Sequence, residues 1–118
     1  MQSIATQQPN WHFICYQSDL ILNSGICALV DNIQVAVFAL ETNEGLQLFA
    51  TSNWDPIGQA NVMYRGLIGS LENEIVIASP IYKEHYSLTT GRCLEHEDQS
   101  IAVYQVRLSE DKLYLSFD

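Results

Sequence analysis

The chain has 118 residues, of which 47% are hydrophobic and 16% charged, which is typical of one globular domain with its own core. No apolar run approaches the roughly 20 residues that span a bilayer, so no transmembrane segment is expected. The formal charge of −9 and the absence of Lys and Arg before Arg65 argue against nucleic acid and anionic membranes as partners, because binding to phosphate groups needs clustered cations.

The first ten residues differ in composition from the rest. Residues 1–10 are polar and rich in Gln, without the basic start and apolar stretch of a secretory signal. We predict a flexible tail here and a single domain over residues 11–118. Three scattered cysteines, Cys15, Cys27 and Cys93, are too few for a disulfide framework and favour a reducing compartment, so the predicted location is the cytoplasm.

Alternating apolar and polar residues predict strands along most of the chain. The alternation is clearest at Val35 and Val37, and again at Leu113 and Leu115. The predicted strands, in chain order, are 11–15, 26–30, 33–38, 46–51, 74–78, 85–88, 101–108 and 112–117. Residues 18–21 can start one short helical turn after the first strand. Helix is therefore expected to be a minor component.

Residues that tolerate a left-handed backbone separate neighbouring strands. They are Asp31 and Asn32, residues 43–45, and Thr90 with Gly91. Each of these groups predicts a hairpin turn. Short strands joined in this way, without an internal repeat, predict an all-β domain, either an antiparallel sandwich or a small barrel.

Two segments interrupt this pattern and are predicted to be loops that project from the sheets: residues 53–58 and 79–86. The first contains N-W-D-P at 53–56, and the second contains S-P-I-Y at 79–82, followed by a Thr90-Gly91 turn. This arrangement resembles Rieske-type proteins, in which a Cys-x-His loop precedes a Cys-Pro-x-His loop. The resemblance implies a Rieske-like β-domain with little helix.

The resemblance places Asn53 and Ser79 at the cysteine positions and Asp55 and Tyr82 at the histidine positions. A Rieske [2Fe–2S] centre needs two thiolates and two imidazoles, so this chain is predicted to hold no cluster. The four polar side chains are expected instead to hydrogen-bond to each other and to the loop backbone. No catalytic, cofactor-binding or metal-binding residue is predicted.

Further segments narrow the resemblance to one family. They are W-H-F-I-C at 11–15, G-I-C-A-L-V at 25–30, Q-V-A-V-F at 34–38, R-G-L-I-G at 65–69 and G-R-C-L-E at 91–95. Together with the two loops they resemble the small subunits of cytoplasmic NAD(P)H-dependent nitrite reductases, whose Rieske-like domain likewise lacks a cluster. The resemblance implies an accessory, non-catalytic role in nitrate and nitrite assimilation. It also implies a large-subunit partner that carries FAD, a 4Fe–4S cluster and sirohaem and reduces nitrite to ammonia.

Large side chains at loop tips are poorly placed for burial within their own domain. The candidate contacts with a partner are Trp54, Ile57, Ile81, Tyr82, Lys83 and His85. An isolated loop histidine is more often solvated or hydrogen-bonded than catalytic, so His85 is not assigned as a general base. The glycine pair at 66 and 69 is too short for a phosphate cradle and predicts a turn or bulge.

Other interpretations remain open. His12 with Cys15, and Cys93 with His96, could supply four zinc ligands. Alternatively, the cysteines are small buried hydrophobes and the histidines surface residues. The function could also be that of a free-standing metal-binding or electron-transfer domain, or of an interaction module of another oxidoreductase, because a fold does not fix a function.

Overall fold

The computed structural model describes residues 10–117, so all of the predicted tail except Asn10 lies outside the described residues. The chain forms β1 (His12–Tyr16), β2 (Ser24–Val30), β3 (Ile33–Thr42), β4 (Gly45–Ser52), β5 (Trp54–Asp55), β6 (Ala60–Asn61), β7 (Leu67–Leu71), β8 (Glu74–Ala78), β9 (His85–Ser87), β10 (Val103–Ser109) and β11 (Lys112–Ser116). Two 3-10 turns, Gln17–Asp19 and Met63–Arg65, supply the helix of the described part, and neither is long and apolar enough to cross a membrane. The predicted all-β class is confirmed.

A six-stranded antiparallel sheet forms the body of the domain. Its strand order is β1-β11-β10-β4-β3-β2, and the edge strands β1 and β2 approach each other, so that the sheet nearly closes into a barrel. The predicted hairpins are present. Asp31 and Asn32 join β2 to β3 with φ of 50° and 67°, and Gly45 begins β4 with φ of 103°. These left-handed conformations explain the turn residues at those positions.

The core consists of two apolar clusters that share strand β3. Val35 and Val37 face the inside of the barrel, where they pack with Leu113 and Leu115. Phe38 faces the other way, into a second cluster. This second cluster lies towards the smaller sheet and also contains Ala36, Met63, Ile77, Tyr86, Leu88, Cys93 and Ile101. Because both faces of β3 are buried, its sequence is almost continuously apolar.

The smaller antiparallel sheet has the order β7-β8-β9. Strand β7 was not predicted, and the turn or bulge predicted at residues 66–69 is present only at Gly66. Gly66 ends the second 3-10 turn, while Gly69 lies inside β7 opposite Val76. The strand is mostly exposed, with Leu67 at 77%, so it lacks the alternation that marks a half-buried strand.

The loop boundaries also differ from those predicted. Trp54 and Asp55 form strand β5, which pairs with β6 in a short hairpin, and residues 85–86 belong to β9 rather than to a loop. The first loop, which includes strand β5 and the turn after it, spans residues 53–59. The second loop spans residues 79–84. The first follows the barrel strand β4 and the second follows β8, so that each sheet contributes one loop.

Candidate functional site

Asp55 organises the first loop. Its side chain is 1% exposed, and Oδ1 accepts hydrogen bonds from the backbone N–H groups of Ile57 (2.9 Å) and Gly58 (3.0 Å). The backbone carbonyl of Asp55 accepts a third hydrogen bond, from the N–H of Gln59 (2.7 Å). An aspartate that accepts from the next residues of its own turn fixes the turn locally.

Ser79 has the corresponding role in the second loop. It is 1% exposed, and its backbone N–H donates to the carbonyl of Glu84 (2.9 Å), which closes the loop. Its hydroxyl oxygen accepts a hydrogen bond from the N–H of Ile81 (3.2 Å). The left-handed Lys83, with φ of 66°, completes the return of the chain towards β9.

The two loops are joined by a side-chain hydrogen bond. The hydroxyl of Ser79 donates to Oδ2 of Asp55, and both residues are buried. The loops are also in close contact at Gly58, where an added Cβ would lie 2.6 Å from Cδ1 of Ile81. An alanine there would require the Ile81 side chain to shift, and its Cβ would also lie 2.9 Å from Oδ2 of Asp55. The expected hydrogen bonding between residues at the former ligand positions is thus confirmed for Asp55 and Ser79.

Asn53 anchors the first loop to the barrel instead of facing the second loop. Its Oδ1 accepts from the N–H of Tyr64 (2.8 Å), while Nδ2 donates to Oε1 of Gln34 (3.1 Å) and to Sγ of Cys27 (3.4 Å). The residue is fully buried. Since both ends of its amide are occupied, Asn53 is a structural residue of the barrel end.

Tyr82 takes no part in these hydrogen bonds within the described residues and is 63% exposed. The other loop residues that are predicted to contact a partner differ in exposure. Trp54 (44%) and Ile81 (37%) are exposed large side chains, and Lys83 is exposed beside them. Ile57 is half-buried. The face formed by Trp54, Ile57, Ile81, Tyr82 and Lys83 is called here the loop-tip surface.

His85 lies on β9 behind the second loop and is held by Glu95. Its Nδ1 lies 2.6 Å from Oε2 of Glu95, and its backbone N–H donates to Oε1 (2.8 Å). Burial acts to raise the pKa of Glu95, but the hydrogen bonds from the backbone and imidazole of His85 outweigh it, so this pKa lies below its usual value. The pair braces β9.

Tyr86, next to His85 in β9, is fully buried, and its hydroxyl has no hydrogen-bond partner among the described residues. Burial first, and then the charge of Asp55, raise the pKa of this phenol above its usual value. Tyr86 therefore remains neutral beneath the two loops.

The residues at the former ligand positions do not fit a [2Fe–2S] cluster. Such a centre needs four thiolate or imidazole ligands converging on two irons. Here Asn53 is bonded to the barrel, Asp55 and Ser79 are bonded to each other, and Tyr82 faces solvent. The Asp55–Ser79 hydrogen bond also spans the interval between the loops. The two loops are therefore connected by protein atoms alone.

The four residues of the alternative zinc interpretation are engaged separately. Cys93 is buried and its thiol donates to Glu95 (3.7 Å), whereas His96 lies 3.5 Å from the carboxylate of Glu84. Cys15 packs against the barrel core, and Nδ1 of His12 lies 3.9 Å from Oδ2 of Asp31. Burial raises the pKa of both thiols. No group of three or more His, Cys, Asp and Glu side chains suited to a metal occurs within residues 10–117.

Sequence reasoning missed three residues that complete this site. Gln34 and Cys27 hold the amide of Asn53, and Gly58 permits the close approach of the two loops. Gly58 carried a signal, because a glycine three residues after an aspartate marks a tight turn. Gln34 carried none, since an exposed polar residue in an alternating strand is the ordinary pattern.

The fold and the paired loops define a Rieske-like domain, and the model of the "Rieske-like [2Fe-2S] domain" family matches residues 10–116. The nitrite reductase (NADH) small subunit of Escherichia coli K12 is 36% identical over 105 residues, which cover 89% of this chain and 95% of that protein. The solution structure of the nitrite reductase [NAD(P)H] small subunit from Erwinia carotovora superposes with a TM-score of 0.75 at 35% identity, covering 92% and 82% of the two chains. This chain belongs to the nitrite reductase small-subunit family.

A further relative is a much longer protein that contains a segment similar to this chain. The nitrite reductase [NAD(P)H] large subunit of Klebsiella oxytoca contains a segment that is 30% identical over 105 residues. The match covers 89% of this chain but only 11% of the Klebsiella protein. A segment like this chain therefore occurs within a large-subunit polypeptide.

Proposed function

We propose that this chain is the accessory small subunit of an NAD(P)H-dependent nitrite reductase and has no redox centre of its own. The observation that carries the proposal is the likeness to the E. coli small subunit over nearly the whole length of both proteins. In this proposal the large subunit holds FAD, a 4Fe–4S cluster and sirohaem and passes electrons from the nicotinamide cofactor to nitrite, giving ammonia. The complex works in the cytoplasm, in nitrate and nitrite assimilation.

The proposed contribution of this chain is to bind and support the large subunit. The Klebsiella protein favours this, because a segment similar to this chain is there joined covalently to a large subunit. Fusion of two domains in one relative is expected when they function side by side. The buried hydrogen bond between Asp55 and Ser79 supports a binding role, since it fixes both loops without a metal.

The proposed contact face is the loop-tip surface, with His85 at its edge. Its Trp54, Ile81 and Tyr82 side chains are exposed although they are large and apolar or aromatic. Aromatic residues of this kind are over-represented among residues that dominate the binding energy of protein interfaces. Two rigidly held loops would present them with little loss of conformational entropy on binding.

The test is co-expression of this chain with a tagged large subunit from the same genome. We expect the two to co-purify, and nitrite-dependent oxidation of NAD(P)H to be higher in the complex than in the large subunit alone. Failure to co-purify, or equal activity with and without this chain, would refute the proposal. Tyr82→Ala should weaken the complex, whereas Tyr16→Ala, which removes a tyrosine that is 51% exposed on β1, should not.

Metal analysis separates this proposal from that of an electron-transfer or metal-binding domain. The purified chain is expected to contain no stoichiometric iron or zinc and to show no visible iron–sulfur absorbance, because Asn53, Asp55 and Ser79 are already bonded to protein and none of the four positions carries a thiolate or imidazole. One metal ion or cluster per chain after expression in iron- and zinc-supplemented medium would favour the electron-transfer or metal-binding interpretation.

A further inference from the structure

A cleft of about 390 Å³ lies beside the second loop, at the end of the smaller sheet where β7 begins and β8 ends. Arg65 and Lys83 line it from opposite segments of the chain, with Leu67, Pro80 and His85 between them. We call this the basic cleft. It adjoins the loop-tip surface because Lys83 belongs to both.

The charge of the basic cleft is opposite to that of the whole protein. The chain has five Lys and Arg residues against 14 Asp and Glu residues, yet two of the five line this cleft and none of its lining residues is acidic. The cleft around Arg92 is different, since Glu72, Glu74 and Glu97 also line it.

Three carboxylates adjoin residues that line the basic cleft, and each has a partner within the domain. Asp55 is bonded to Ser79. Glu95 is bonded to His85, and Glu84, which follows Lys83, lies 3.5 Å from His96. Arg65 and Lys83 form no ion pair within the described residues. Arg65 donates from Nε to the Tyr64 hydroxyl (2.9 Å) and lies over the Tyr64 ring, with Cζ 5.4 Å from the centroid. Since Nε is the donor used, this contact orients the guanidinium without neutralising it.

We propose that the basic cleft binds a carboxylate-bearing segment of the large subunit, an inference that rests on the proposed function. The fixed guanidinium of Arg65 suits a bidentate carboxylate, and the exposed ammonium of Lys83 adds a second cation at the rim. The exposed Leu67 and Pro80 would cover the apolar part of the same segment. Continuity with the loop-tip surface makes the cleft the electrostatic part of one docking face.

Charge reversal in the basic cleft tests this proposal. Arg65→Glu and Lys83→Glu are compared with Lys112→Glu, which makes the same change of charge at an exposed position on β11 outside the cleft. Binding of each full-length variant to the immobilised large subunit is measured at several salt concentrations. We expect Kd to rise about five- to tenfold for each cleft variant, mainly through slower association, and to change less than about twofold for Lys112→Glu. The salt dependence should be shallower for both cleft variants.

The experiment also includes variants that keep the charge, and its negative results can be told apart. Lys83→Arg keeps the charge and should bind nearly as the wild type does. Arg65→Lys keeps the charge but loses the bidentate geometry, so it should bind more weakly than the wild type and more tightly than Arg65→Glu. If the wild type binds but both cleft reversals bind equally well, the cleft inference is overturned and the proposed function stands. Equal weakening by all three reversals also overturns the inference, because net charge alone would then explain it. Absence of binding by the wild type overturns both.

Discussion

The hydrogen bond between Ser79 and Asp55 is expected to be a main source of stability at the loop end of the domain. Ser79→Ala removes the bridging hydroxyl from a buried position. A hydrogen bond to a charged group contributes about 1.5–3 kcal/mol, so we expect the free energy of unfolding to fall by that amount. For a domain of this size roughly 4 °C of Tm corresponds to 1 kcal/mol, which predicts a decrease of about 6–12 °C.

Asp55→Ala should lower the free energy of unfolding by more than Ser79→Ala does, because it also leaves the N–H groups of Ile57 and Gly58 without their acceptor. Each unsatisfied buried donor adds about 1–3 kcal/mol unless water replaces the lost carboxylate. Urea unfolding of the wild type, both single variants and the double variant gives a thermodynamic cycle. If the two side chains interact directly, the cycle should show a coupling energy of about 1–3 kcal/mol.

The matched control is Ser70→Ala, which removes the same hydroxyl from an exposed position on β7 and should change stability by less than about 0.5 kcal/mol. Two results would refute the reasoning. One is additivity of Asp55→Ala and Ser79→Ala within about 0.5 kcal/mol. The other is a loss for Ser79→Ala no greater than that of the control.

Two further predictions concern the packing and the pH response of the same end of the molecule. Gly58→Ala places a Cβ 2.6 Å from Cδ1 of Ile81 and should lower the free energy of unfolding by about 1–3 kcal/mol. The control is Gly69→Ala, whose Cβ meets nothing within 4 Å and should not lower it. Equal effects of the two variants in urea unfolding would exclude the clash. The contacts with His85 lower the folded-state pKa of Glu95, so the stabilisation is present above the unfolded value near 4.5 and is lost as pH falls through the folded value. Glu95→Gln should therefore reduce the free energy of unfolding more at pH 7 than at pH 3. An equal loss at both pH values would contradict the assignment.

The strands could be predicted from the sequence where burial alternates or where both faces are buried. In β3 the run from Val35 to Phe38 is apolar because each side of the strand meets a different cluster, and its ends are marked by turn residues. Strand β7 could not be predicted in this way. Its side chains are mostly exposed, so backbone pairing with β8 determines its conformation, and pairing leaves little trace in composition.

The residue types of the candidate site could be predicted from the sequence, but their spatial arrangement could not. The spacing of the two loops indicated the Rieske-like frame, and the residue types at positions 53, 55, 79 and 82 excluded cluster ligation. The sequence alone did not reveal that Asn53 faces the barrel while Asp55 faces Ser79. Because residues two apart in extended backbone share a side, Asn53 and Asp55 both point inward, and the partner that each one meets depends on how the β5–β6 hairpin packs against the barrel and the second loop.

Alternation along residues 53–55 also separates the residues that fix the first loop from the one that faces outward. Asn53 and Asp55 are both buried, while Trp54 between them points outward. In the second loop Ser79 is buried and Tyr82 is exposed. The residues that fix the loops are therefore different from those that a partner can contact. Ser79→Ala should lower the stability of the domain, and below its Tm the variant should still bind the large subunit, whereas Tyr82→Ala should weaken binding without changing Tm.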